Sequence, residues 1–497
     1  MTTKNLLVFD FGASNCRAIV GKYDGNKIEM DITHRFDNIP VFITGTLYWD
    51  ILKLYIELKN GIQASMKKYK NFLSLGIDSW GADFGILDKN GKLISNPVHY
   101  RDEQRVKDAE DLLKIIPEEK LFNMTGASIL PIFDLFHLYS LKKHHTPELE
   151  SAYRFLTISD LFNYFLTGKT FNELTRLSTS ILYDQNASKM SDYIFNTLNL
   201  PKDIFPKMVL PASKIGKISK GVTRELEIRT VNVVAPATHD TASAVAGIPV
   251  ADKKTNWAFL SMGTWCCMGK EIEKPLINSD IFNAGFSNEA GVYGTNILIK
   301  DYTGLWTIQQ CRERWIKEKC TDISWKEIDE VYPLAKPFKV FIDMDDPIFG
   351  KSQINMPAVI IEYCKKTCQN TPESVGEISR SIYESIVLKF KYYIHLFEQL
   401  TGKKIELIHV VGGGTKNKLI CKWIADSTSI YVKAGPAETT SLGNMIMQLK
   451  AAGEISSLIE GRQISYNSSR VEYFTPENKE LWDVAYERYL RILDLAK

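Results

Sequence analysis

An excess of charge of either sign is missing from this chain. Its 497 residues carry 61 basic and 59 acidic side chains, for a net charge of +2. That balance gives nucleic acid or an anionic membrane no electrostatic hold, and the aromatic residues are not interleaved with basic clusters. Long apolar runs are missing as well. No stretch approaches the roughly 18 residues that a membrane span needs, and the single Lys ahead of Leu6 is not the charged start of a secretory signal. The eight cysteines are scattered. Cys364 and Cys368 stand at helix spacing without a second pair or a nearby histidine, so no zinc site is expected. With no secretory signal, the thiols are expected to be reduced and the protein cytoplasmic. No low-complexity linker separates one part of the chain from another.

What is present is core material, 44% apolar against 24% charged. At this length it predicts two domains of roughly 200–250 residues. Apolar runs predict strands at Leu6–Phe11, Ala18–Tyr23 and Ile28–Phe36, a helix from about Asp50 to Lys68, and a strand at Leu73–Asp78. Three strands in a meander, then helix, then strand predict an α/β fold with a mixed sheet and helices on its faces. Residues 104–200 read as mostly helical, broken at Pro117, Pro131, Pro147 and Pro201. A strand at Val231–Ala235 runs into Pro236-Ala237-Thr238-His239-Asp240-Thr241 and a helix of small residues, Ala242 to Ala246. The expected organisation is a first domain over 1–247, a second over 248–460, and a C-terminal helical segment over 461–497 packing back on the first.

Several segments carry chemistry. At residues 6–17 an apolar strand ends in Asp10, turns at Gly12, offers small polar residues and re-enters an apolar run. Its backbone N–H groups and the Ser14 hydroxyl suit phosphate oxygens, with Asp10 placed for a metal ion and Arg17 close behind. A plain hairpin turn with a solvated Asp fits the same residues. Asp10-Phe11-Gly12 and the later His99-Tyr100-Arg101-Asp102 echo protein-kinase motifs. Their order is reversed and the Gly-rich loop is missing, which excludes a protein kinase. Ser261-Met262-Gly263-Thr264 offers a second phosphate-sized turn. Gly412-Gly413-Gly414 follows a buried strand and clears side chains from the path of a flat base or ribose, without forming the G-x-G-x-x-G dinucleotide fingerprint. Asp240 lies between a strand and a helix. It suits an N-cap or first-turn acid, and equally a base that accepts a hydroxyl proton during phosphoryl transfer. Trp80-Gly81-Ala82-Asp83 and Tyr100-Arg101-Asp102 mix an aromatic face with short polar groups, as a polyol requires.

In this order, the segments resemble the FGGY carbohydrate kinases of the actin/hexokinase/Hsp70 ATPase superfamily. The likeness runs almost end to end, through His34-Arg35-Phe36, Tyr48-Trp49-Asp50, Gly76 to Phe84, Tyr100-Arg101-Asp102, His239 to Val245, Gly263-Thr264-Trp265, Gly304-Leu305-Trp306, the triple glycine with Asn417, and Leu442-Gly443-Asn444. The resemblance implies two actin-like (ribonuclease H-like) ATPase domains closing on a central cleft, with ATP and Mg²⁺ as cofactors. It implies ATP contacts from Ala13, Ser14, Asn15, Cys16, Arg17, Thr264, Gln309 and Gly413. Sugar contacts would come from Gly81, His239, Asp240 and Thr241, with Trp80 and Asp83 beside them, Asp240 as base and Asp10 near the metal. The expected reaction is transfer to O1 of a 6-deoxy-ketohexose, L-rhamnulose before L-fuculose, by a monomer or homodimer.

Two positions depart from the family pattern. Asp301 replaces a sugar-binding Asn, and an ionised Asp only accepts where Asn also donates, which bears on the choice between epimers. Asn15-Cys16 stands where Ser-Gly is common, adding bulk to the hairpin. Rival readings are another FGGY pentulose or hexulose kinase, an actin- or Hsp70-like ATPase without sugar, and a silent sugar sensor. The intact Asp10 and Asp240 argue against the sensor.

Overall fold

The computed structural model describes residues 3–250, 255–319, 322–351 and 353–496. The chain divides into two compact units. Residues 1–253, 271–298 and 438–469 form the first, and 254–270, 299–437 and 470–497 the second. Two later segments of the chain rejoin unit one after the chain has left it. A return of this kind has no local signature, because it is written in the complementarity of distant faces.

In unit one, β1 (Lys4–Phe11), β2 (Asn15–Tyr23) and β3 (Ile28–Asp37) form the predicted meander. They sit in a six-stranded sheet that continues on the other side of β1 through the strands Phe72–Ser79, Asn232–Ala235 and Ser213–Lys217. β1 pairs antiparallel with β2 and parallel with Phe72–Ser79, which is in turn parallel to Asn232–Ala235. Three parallel strands therefore end side by side, and these ends carry Asp10, Asp78 and the turn leading to Asp240. Ligands of open α/β sheets bind at such carboxyl ends.

The helix α1 (Ile51–Lys68) covers one face. Its buried Ile51, Leu54, Leu58 and Ile62 repeat at three- and four-residue spacing, Asp50 caps it by accepting from the Lys53 N–H at 3.1 Å, and Lys67 and Lys68 complement its C-terminal dipole. The small-residue helix Asp240–Gly247 meets the helix Thr439–Ala452 almost backbone to backbone. A Cβ at Gly443 would collide with the Ser243 carbonyl, and one at Gly247 with that of Thr439. This close approach explains why the first of these helices is built from alanine, serine and glycine, and it locks the position of Asp240 at its start.

Unit two repeats the hairpin-plus-parallel-strand pattern. Trp257–Met262 pairs antiparallel with Trp265–Ile272 and parallel with Leu407–Val411, which is parallel to Tyr431–Ala434. The helix Val375–Thr401 is capped by Ser374 and ended by Gly402 at φ 65°. Among the described residues no helix is long and apolar enough to cross a membrane, and Cys16, Cys266, Cys311, Cys364, Cys368 and Cys421 are free thiols.

Candidate active site

Phe11 pairs with Cys16, leaving residues 12–14 as the turn of the first hairpin. The Gly12 N–H donates to the Asn15 carbonyl at 3.1 Å. Asn38, just past β3, pins the turn from outside: its N–H donates to the Ser14 carbonyl and its Nδ2 to that of Gly12, each at 3.0 Å. Ser14 and Asn15 are exposed, while Cys16 turns inward and its thiol points at the Gly12 carbonyl. The bulk of Cys16 thus goes into the core. Arg17 pairs with Asp10 at 2.5 Å and with Glu438, which sits at the start of the Thr439–Ala452 helix.

Asp10 stands opposite Asp78 in the parallel register. Asp78 is fully buried, and its carboxylate accepts from the Asn444 amide. Burial and the negative charge of Asp10 drive it well above the ordinary carboxylate range; the Asn444 bond opposes this, and Asp240 adds to it.

The turn before Asp240 is clamped by a buried carboxylate. Glu173 accepts from the Thr238 N–H and Oγ1, both at 2.9 Å, and from Thr175, whose Oγ1 in turn accepts from the His239 N–H at 3.3 Å. Ser79 N–H donates to the Thr238 carbonyl at 3.0 Å. His239 is the N-cap residue of the helix, yet its side chain makes no capping bond. Asp240 follows it, accepting at Oδ1 from the Thr241 N–H at 2.7 Å and hydroxyl at 3.3 Å. Asp240 is thus an acid of the first helical turn, with 30% of its side chain exposed. Burial raises the group, the neighbouring His239 lowers it and Asp10 raises it again, leaving its pKa at about 6. The helix N-terminus favours the ionised form.

The imidazole of His239 lies against Gly81. A Cβ there would come within 2.6 Å of Nε2, so only glycine leaves room for the ring. Beside it, Trp80 packs against Trp49 with the rings tilted and their centroids 4.2 Å apart, and Trp49 stacks on His99 at 4.0 Å. The Trp80 Nε1 is buried without a hydrogen-bond partner in the protein. A buried donor of this kind costs about 1–3 kcal/mol unless a ligand or water takes it up.

Asp83 requires a correction. It has no exposed surface. Its oxygens accept from Trp49 Nε1 at 2.7 Å, the Tyr100 N–H at 2.9 Å and Arg105 Nη1 at 3.0 Å. Asp83 therefore braces the aromatic wall and offers nothing to a sugar. Its left-handed backbone, φ 72°, is held by Arg176, which donates to the Asp83 carbonyl and to Asp134, each at 2.9 Å.

In unit two, Thr264 is half-buried in the turn between Trp257–Met262 and Trp265–Ile272. Its carbonyl accepts from the N–H groups of Gly304 at 3.2 Å and Trp306 at 3.1 Å. Gln309 is half-buried on the helix Trp306–Lys319. Gly412 takes φ 76°, and Gly413 beyond it is exposed, with open space where a Cβ would stand. Asn417 caps the following helix and accepts from the Tyr332 hydroxyl at 2.9 Å. Asp301 is exposed on the strand Asn296–Thr303.

Acids at the ends of parallel strands, and a second unit repeating the same core, make this a phosphotransferase architecture of the actin-like ATPase type. The solved gluconate kinase from Lactobacillus acidophilus shares it with a TM-score of 0.82 at 15% identity, over 100% of this chain and 99% of its own. The pattern for the FGGY family of carbohydrate kinases, N-terminal domain, matches residues 5–247, and that for the C-terminal domain matches 258–452. The chain belongs to the FGGY family of carbohydrate kinases. It is 33% identical over 483 residues to the rhamnulokinase of Bacteroides thetaiotaomicron, covering 97% of this chain and 98% of that one. It is also 33% identical to the rhamnulokinase of Halalkalibacterium halodurans over 476 residues, covering 95% and 99%.

Residue-by-residue reading missed the clamps: Glu173, Asn38, Arg176, Glu438 and the site-facing Glu289. None carries a local motif. Trp49, within Tyr48-Trp49-Asp50, was the one recognisable signal.

Proposed function

We propose that the enzyme transfers the γ-phosphoryl group of ATP to O1 of L-rhamnulose. The reading is supported by the rhamnulokinases among its relatives and, at the site, by one observation: a partly exposed carboxylate, Asp240, whose pKa of about 6 suits a base near neutral pH. Asp240 accepts the O1 proton as that oxygen attacks the γ-phosphorus; the bond from phosphorus to the β–γ bridging oxygen breaks, and ADP leaves. His239, Thr241 and the wall at Trp80–Gly81 orient the sugar. Nucleotide contacts are assigned to the turn at Ala13–Arg17 in the first unit and to Thr264, Gln309 and Gly413 in the second. Positioning and charge stabilisation account for most of the acceleration in such transfers.

The proposal includes Mg²⁺. Asp10 is 6% exposed and shares one oxygen with Arg17. A carboxylate with an oxygen to spare fits Mg²⁺, which is held by one or two carboxylates plus substrate phosphates and keeps several waters. When bound, the ion would neutralise charge on the β- and γ-phosphates. We place the reaction in the cytoplasm, where ATP is supplied. L-Fuculose is the second candidate, because Asp301 replaces the Asn of the rhamnulokinase pattern.

The test is Asp240→Asn. It keeps shape and hydrogen bonding but removes the proton acceptor. Turnover with L-rhamnulose should fall by about three orders of magnitude or more while the KM for ATP stays within about twofold. Turnover near that of the parent enzyme would remove Asp240 as the base.

A further inference from the structure

One buried carboxylate facing this site has no role so far. Glu289, on the strand Ser287–Ala290, is 5% exposed, and its Oε2 lies 3.3 Å from His239 Nδ1. Neither of these two buried atoms makes a hydrogen bond in the structure, so each is left facing the other. The other ring nitrogen, Nε2, lies 3.5 Å from Asp240 Oδ1. Three side chains thus form a line, Glu289 to His239 to Asp240, with Gly81 beneath the ring.

The strand under Glu289 is fixed independently of the ring. The Ala290 N–H donates to Ser178 Oγ at 2.9 Å and the Asn288 N–H to the Gly126 carbonyl at 2.7 Å. The Asn288 side chain accepts from the Leu276 N–H at 2.7 Å and donates to the Leu276 carbonyl at 2.9 Å. Besides Glu289, the charges felt by His239 are Asp240 on its own helix and Arg176 on the neighbouring helix Leu174–Ser178. Burial and Arg176 disfavour the imidazolium, but the two carboxylates outweigh them and hold the ring above its ordinary range.

We propose that Glu289 is a positioning residue for phosphoryl transfer: facing His239 Nδ1 as Asp240 faces Nε2, it accepts the Nδ1 proton in a hydrogen bond and holds the ring as imidazolium, so that Nε2 is protonated too, beside the Asp240 carboxylate. His239 then donates to a sugar oxygen while Asp240 stays free to accept the proton of the reacting hydroxyl. Donor and acceptor stand side by side, each in a fixed protonation state. This rests on the reading of Asp240 as the base.

The experiment is steady-state kinetics of the full chain with L-rhamnulose and ATP for Glu289→Gln, His239→Ala, the double variant and Asp240→Asn. Glu289→Gln should lower kcat/KM for the sugar about 10- to 100-fold with the KM for ATP within about twofold. On the His239→Ala background it should cost nothing more, because its effect passes through the ring. Sugar kinetics within about twofold of the parent enzyme, or a further loss on that background, would overturn the proposal. Asp240→Asn separates the two ideas: if it alone is inactive, only the role of Glu289 fails; if it is active, the base assignment fails. ¹⁵N NMR of the histidine rings in the unsubstituted protein supplies a readout that needs no Glu289 variant. The His239 resonances, assigned by their loss in His239→Gln, should show Nδ1 and Nε2 both protonated at pH 7. A bare Nδ1 would contradict the proposal.

Discussion

Asp240 shows how little of a residue's chemistry its neighbours in sequence determine. Its position between strand and helix was legible, but its raised pKa comes first from burial and then from Asp10, far away along the chain. The sign of the pH effect follows. A base must be deprotonated, so kcat/KM for the sugar should fall as the pH drops through about 6, tenfold per pH unit below it, and level off above. A profile flat from pH 5 to pH 8 would exclude Asp240 as the titrating base. Gly81 was legible as a residue of the sugar wall only through resemblance; its physical reason, the His239 ring lying on it, needed the fold. Asp83 misled for the opposite reason. A short acid after Trp-Gly reads as a ligand for hydroxyls, and nothing local reveals that Arg105, Trp49 and Tyr100 occupy it.

At the scale of elements, alternation and helical spacing were enough for the first hairpin, α1 and the glycine-ended strands, because each satisfies its own pattern of burial. The contact between Asp240–Gly247 and Thr439–Ala452 was not legible as a contact. The run Ala242 to Gly247 announces that something approaches closely, but not what. This contact sets where the Asp240 carboxylate stands, and it depends on two glycines. Gly443→Ala places a methyl group against the Ser243 carbonyl, which cannot yield without moving the helix that bears Asp240. It should destabilise unit one by about 1–3 kcal/mol or more and lower activity with it. Gly221→Ala, where the nearest atom is 4.0 Å from the added carbon, should cost neither. Thermal unfolding followed by circular dichroism distinguishes the two; equal melting temperatures would mean the backbones are not in contact.

At the scale of the whole molecule, the family settles the chemistry as phosphorylation of a carbohydrate and leaves the sugar to be argued. By the resemblance drawn from the sequence, Asp301 stands where a sugar-binding Asn is expected. An acceptor-only side chain should favour a sugar hydroxyl that donates, and Asp301→Asn should raise kcat/KM for L-rhamnulose relative to L-fuculose by about 10-fold, the scale of one mismatched polar contact. An unchanged ratio would show that Asp301 does not select the sugar. The claim beneath all of these is that ATP consumption answers to a sugar. The most direct measurement is coupled ADP release by the unsubstituted enzyme, with and without L-rhamnulose, L-fuculose, L-ribulose and D-xylulose. The account predicts little ADP without sugar and the highest kcat/KM with L-rhamnulose; ADP release at the same rate with no sugar present as with every one of the four would contradict it.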